Sequence, residues 1–241
     1  MRRSFFLISS EKDIAFFYLN YPEPFQYTKY DSQENSFNNW ISNIQDQYIK
    51  RDPDIQCKVF ITSPRYTILP NALFSPNNSR QVFELNFDKV ESWEQVYFNF
   101  ISSFKATIIF GKPLVSEKIK KEIKSNFSVS HLVPSLCDFA LKYGKSGTPF
   151  LFVAPEHANL ILWAEGKLIS AVQFNYLAIE DLIYHLLANL KSHNILSLNE
   201  LYILSFNKDI QEENFREFLT KIDFSAEVQI TTKSNDLLFK L

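Results

Sequence analysis

The chain has 241 residues, 46% hydrophobic and 22% charged, and its 25 basic and 27 acidic residues leave a formal net charge of -2. That composition belongs to a folded globular protein, long enough for one large domain or two lobes, and it excludes a disordered chain. Both signs of charge are scattered, without a polybasic block or an acidic tail, so the usual sequence signatures of nucleic-acid and anionic-membrane binding are missing.

In chain order, Ser4 to Ser9 and Ile14 to Asn20 are aromatic and β-branched runs joined by Ser10-Glu11-Lys12-Asp13, which predicts a hairpin. The apolar run from Phe5 to Ile8 is too short for a signal peptide, and Glu11, Lys12 and Asp13 close it. No window approaches the roughly 20 apolar residues of a membrane span, so a cytoplasmic protein without membrane attachment is expected. Asn77-Asn78-Ser79 and Asn126-Phe127-Ser128 then read as chance glycosylation matches.

A third strand, Phe25 to Tyr30, follows Pro22 and Pro24. Asp31 and Glu34 have capping-box spacing, and Phe37, Trp40, Ile41, Ile44 and Tyr48 make one apolar helical face, ended by Asp52-Pro53. Cys57 to Thr62 is a fourth strand. Residues 64–88 hold the short strand YTIL and a helix opened by Ser75-Pro76; Val96 to Phe110 is strand-like, Ser116 to Lys124 a charged helix, and Leu132 to Tyr143 a helix ended by Gly144.

The order of three strands, a helix and a strand then recurs. Phe150 to Ala154, Asn159 to Ala164 and Leu168 to Phe174 are strands, the last two joined by a tight turn at Glu165-Gly166-Lys167. The next helix puts Ile179, Leu182, Ile183, Leu186, Leu187 and Leu190 on one stripe, with Glu180 and Asp181 in its first turn, where acids suit the helix dipole. Leu201 to Phe206 is a strand, a capping box at Asp209 to Glu212 opens a helix through Phe215, Phe218 and Leu219, and Val228 to Thr231 closes the unit. Such self-similarity predicts an internal duplication. The first lobe takes residues 1–127, with an insertion at about 64–125, and the second takes residues 128–241.

The run ILWAEGKLISAVQFNYLAIEDLIYHLLANL, with YTILPNALF before it, resembles a family of uncharacterised bacterial proteins whose fold is similar to the actin-like ATPases. The matching features are Gly166-Lys167-Leu168, Asn175-Tyr176 and Glu180-Asp181. The resemblance covers essentially the whole chain and rests on structural motifs. It implies an α/β protein with a duplicated ribonuclease H-like (actin-like ATPase) fold, two lobes each with a mixed five-stranded sheet flanked by helices. It implies no activity.

Actin-like ATPases cradle phosphates in glycine-containing hairpins, where bare backbone N–H groups approach the anion. The chain has only four glycines, against roughly 17 at average usage. Neither corresponding hairpin, Ser9 to Asp13 or Ala154 to Ala158, contains one. Glu11 and Glu156 would repel a triphosphate, and Pro155 removes a donor. The residues left as cleft candidates are Lys12, Asp13, Glu156 and His157.

A two-metal nuclease needs carboxylates on the first and fourth strands, and the second-half strands FLFVA and LYILSF have none. Glu180 and Asp181 read better as dipole complements than as ligands. His131, His157, His185 and His193 lack metal spacing, and His185 falls on the polar side of the leucine stripe. Cys57 and Cys137 read as reduced, buried small hydrophobes. The 16% aromatic residues have no basic groove beside them, so core and interface packing accounts for them.

No catalytic residue, metal or cofactor is therefore assigned. The expected function is a non-catalytic pseudoenzyme of actin-like fold, a scaffold or adaptor whose partner is another protein or itself. The alternatives are an ATP-binding actin-like or sugar-kinase-like enzyme with atypical phosphate loops, and a cleft that binds a small molecule or nucleic acid without hydrolysis.

Overall fold

The computed structural model describes residues 3–8, 13–19, 26–31, 38–39, 41–42, 45–46, 50, 56–123, 126–195, 200–205, 207, 210, 212–221 and 227–231. They fall into two compact units, Met1–Pro134 and Ser135–Leu241.

In the first unit, β1 (Arg3–Ile8), β2 (Asp13–Leu19) and β3 (Gln26–Asp31) form an antiparallel meander. β4 (Gln56–Ile61) pairs parallel with β1, Ile8 lying opposite Ile61. Asn38, Asn39, Ile41 and Ser42 are helical, and Ile41 is buried, so this part of the expected helix face packs inward. Trp40, Ile44 and Tyr48 lie outside the described residues. Asp31, expected to cap that helix, is the last residue of β3 instead: its backbone is held opposite Asp13 in the ladder.

Residues 66–113 contribute a separate three-stranded sheet. β5 (Tyr66–Pro70), β6 (Glu94–Ile101) and β7 (Ala106–Pro113) run antiparallel in the order β5-β7-β6. Both faces of β7 are buried, which explains its almost unbroken apolar run ATIIF. Between β6 and β7 the chain reverses through a short 3-10 turn and Lys105 at φ 50. α1 (Ser79–Phe87) packs on this sheet through Phe83, and α2 (Val115–Glu122) buries Val115 and Ile119.

β8 (Asn126–His131) then returns to the first sheet, parallel to β4, giving the order β3-β2-β1-β4-β8. The sequence gives β8 little signal. Its polar alternation NFSVSH lacks the apolar density of its neighbours, so it reads as a connector, and its strand conformation comes from pairing with β4 along its whole length.

α3 (Leu132–Tyr143) follows directly and buries Leu136, Cys137, Phe139 and Ala140. In the second unit β9 (Phe150–Val153), β10 (His157–Ala164) and β11 (Lys167–Asn175) form a meander. The β10–β11 turn has Glu165 at φ 51 and Gly166 at φ 73, the two positive values that a two-residue type I′ turn requires. α4 (Ile179–Ser192) leads to β12 (Glu200–Ser205), α5 (Glu212–Lys221) and β13 (Glu227–Thr231), giving the order β11-β10-β9-β12-β13. β12 is parallel to both β9 and β13.

One sheet face, through Leu151, Leu160 and Ile203, meets Leu182, Ile183, Leu186 and Leu190 of α4 and Phe215 and Leu219 of α5. Each fully buried leucine in such a cluster contributes roughly 1.5–3 kcal/mol of transfer free energy, so the stripe read from the sequence fastens α4 to the sheet.

Candidate functional site

The β9–β10 turn, Ala154-Pro155-Glu156, leads into His157, the first residue of β10. The Ala154 N–H donates to the His157 carbonyl at 2.9 Å, closing the turn. Tyr176, just past β11, braces it from the side: its N–H donates to the Glu156 carbonyl at 3.3 Å and its hydroxyl to the Ala154 carbonyl. Asn207 Nδ2 donates to the Tyr176 hydroxyl at 2.9 Å, and the Ser205 hydroxyl donates to the Asn207 carbonyl at 2.9 Å. The turn is thus pinned to the C-terminal ends of β11 and β12.

Its electrostatics are anionic or neutral. Glu156 is exposed. His157 keeps some surface but encloses its Nε2, and burial lowers its pKa to about 4 against the opposing pull of the Glu156 charge. The ring is therefore neutral near pH 7. An anion nest needs successive N–H groups splayed by alternating right- and left-handed backbone. None of Ala154, Pro155, Glu156 and His157 has positive φ, Pro155 has no N–H, and the Ala154 N–H is already used. The turn does not fit a phosphate cradle.

In the first unit the C-terminal ends of the parallel strands β1, β4 and β8 bring Ile8, Ile61 and His131 into one row. Thr62, Ser63 and His131 are buried there. His131 Nε2 donates to the Ser63 carbonyl at 3.1 Å, while the Val133 N–H donates to Nδ1 at 3.2 Å, which fixes the neutral Nε2–H tautomer. Its ring lies 4.8 Å from Tyr66 and 5.1 Å from Phe110. Burial lowers its pKa to about 4, outweighing the Ser63 carbonyl, which raises it. Of the first hairpin's candidates, Asp13 opens β2 opposite Asp31, and Lys12 lies outside the described residues.

The His131 shift predicts a pH dependence. The unfolded chain binds this proton near pH 6.5 and the folded chain only near 4. The His131 contribution is therefore intact above about pH 6.5 and is lost as pH falls toward 4. Urea unfolding across that window should show wild type losing more stability than His131→Phe; equal slopes would mean that the ring is not buried neutral.

Asp181, His185 and Cys137 sit in structural surroundings. The Asp181 carboxylate accepts the N–H groups of Leu177 and Ala178 at 2.9 and 3.1 Å, which holds its pKa below the usual carboxylate range. It is a helix cap, and Glu180 beside it is exposed. His185 is half-buried and stacks on Phe174 at 4.6 Å. Burial pushes the Cys137 thiol far up, so it is no nucleophile. Among the described residues no group of three His, Cys, Asp or Glu side chains could hold a metal ion, and no helix is long and apolar enough to cross a membrane.

Sequence reasoning passed over Asn159 and Gln173. Asn159 interrupts the apolar run of β10 and is fully buried opposite Gln173 of β11. The signal was available: strand alternation puts Asn159 on the same face as His157.

A protein of Bacteroides thetaiotaomicron VPI-5482, described as having an actin-like ATPase fold and unknown function, is similar over 95% of this chain and 90% of its own, at 20% identity and a TM-score of 0.70. The ethanolamine utilization protein EutJ of Carboxydothermus hydrogenoformans is similar over 95% of this chain and 84% of its own, at 7% identity and a TM-score of 0.48. No curated protein matches the sequence. The first likeness shows an actin-like α/β fold with mixed sheets and helices. Residues 2–224 match the model of a family described as Protein of unknown function (DUF3822), and the chain belongs to that family.

Proposed function

We propose that this chain is a non-catalytic protein of actin-like fold, a scaffold or adaptor that binds a protein partner or a second copy of itself in the cytoplasm. The β9–β10 turn carries the proposal: where a nucleotide-binding relative needs bare donors, the Ala154 N–H is already bonded to the His157 carbonyl, Pro155 lacks an N–H, and the Glu156 side chain is exposed. Exposed apolar side chains supply surface for a partner, among them Leu85 and Phe100 in the first unit and Leu177 and Tyr184 in the second.

The shared strand order, an antiparallel meander continued by two parallel strands, supports a duplicated ribonuclease H-like architecture. We draw the border between the proposed lobes just after β8, a few residues beyond position 127, because β8 pairs along its whole length with β4.

Calorimetric titration with ATP and magnesium should give no saturable heat, and the melting temperature should not move with added nucleotide. Saturable binding in the micromolar range would overturn the proposal in favour of an ATP-binding actin-like or sugar-kinase-like enzyme with atypical phosphate loops.

A further inference from the structure

β10 and β11 set four polar side chains in a two-by-two block: His157 and Asn159 on one strand stand opposite Asn175 and Gln173 on the other. Alternate residues of a strand share a face. Ala158 and Leu160, with Val172 and Phe174, lie in the core beneath α4, so the polar four belong to the opposite face. On that face Phe152 stands beside Asn159 on β9, and Phe139 of α3 packs 5.1 Å from Phe150.

Burial across the block is graded. Asn175 is exposed, Gln173 and His157 are half-buried, and Asn159 is 0% exposed, so a polar path runs from solvent to a fully enclosed carboxamide. Four atoms along it, His157 Nε2, Asn159 Nδ2 and Oδ1, and Gln173 Oε1, have no hydrogen-bond partner among the described residues. Buried polar atoms in folded proteins nearly always have partners. Filling space does not require a carboxamide here, since positions 158 and 160–162 of the same strand are apolar.

The chemistry of the block limits what would satisfy it. It contains no lysine or arginine, and the Glu156 carboxylate, next in sequence to His157, adds a negative charge beside it, so an anion is disfavoured. Cross-strand neighbours lie about 5 Å apart at Cβ, so Asn159 and Gln173 offer donors and acceptors side by side. A planar group with one donor and one acceptor on the same edge is complementary to that pair.

We propose that Asn159 and Gln173, with His157 at the mouth, form a binding site for a small uncharged molecule that presents a carboxamide or lactam edge. The site is independent of the scaffold role, and the outcome of the ATP titration does not bear on it.

The test is titration of the ¹⁵N-labelled full chain with acetamide and 2-pyrrolidone, using acetate as the charged control. The side-chain amide signals of Asn159 and Gln173 are assigned from their loss in Asn159→Leu and Gln173→Leu. Saturable shifts of both signals with the two amides, but not with acetate, are expected. Gln173→Leu, at the half-buried and more tolerant position, should weaken binding about tenfold or more while the fold persists. Absence of a saturable shift would mean that the block holds trapped water only. That result, or an equal response to acetate, would overturn the proposal.

Discussion

Replacing Arg65 with alanine is expected to destabilise the first unit by about 3–5 kcal/mol, the range for removing one partner of a buried ion pair. The Glu94 side chain is 0% exposed, and Arg65 meets its carboxylate through Nη2 at 2.9 Å and Nε at 3.0 Å. Nη2 also donates to the Lys89 carbonyl at 2.7 Å, and the guanidinium lies over the rings of Phe83 and Phe87 at 5.4 and 5.2 Å. Gly111 makes room for this pair: a Cβ there would stand 1.8 Å from Glu94 Oε2. Without Arg65 the carboxylate keeps the hydrogen bond from the Glu91 N–H at 3.0 Å, but among the described residues its charge loses its ion-pair partner. Urea denaturation checks the magnitude. Arg65→Ala combined with Glu94→Gln should recover part of the loss, because the second change removes the stranded charge. A single-mutant cost below about 1 kcal/mol would place the pair in the weak class of surface bridges.

Leu186→Ala is the second large effect, a loss of roughly 2–5 kcal/mol. Leu186 is 0% exposed at the centre of the stripe on α4, in one cluster with sheet residues and with Phe215 of α5. The removed methyl groups leave space between three elements, which limits how far the site can collapse. Leu187→Ala, one position round the helix at a partly buried site, should cost less. Equal costs at the two positions would show that the helix is rotated from the orientation described.

Legibility in the sequence followed the strength of the pattern. α3 was readable to the residue because Gly144 ends it, and α4 because its leucines recur at helical spacing with acids in the first turn. At the β9–β10 turn, Pro155 and the lack of glycine were plain in the sequence alone. The clamp that Tyr176 and Asn207 place on it was not, because it joins residues 22 and 31 positions apart through side chains. β8 was hidden for a related reason, since a strand made by pairing carries little local propensity. The separation of β6 from β7 depended on Lys105 adopting positive φ, which a lysine does not announce.

Cys57 in β4 and Cys137 in α3 are both buried thiols, one in each compact unit. An alkylating reagent reaches either sulfur only when the surrounding structure opens, so the two atoms act as separate clocks for local breathing. Timing their modification one against the other would reveal whether the halves of the chain loosen together or each on its own schedule.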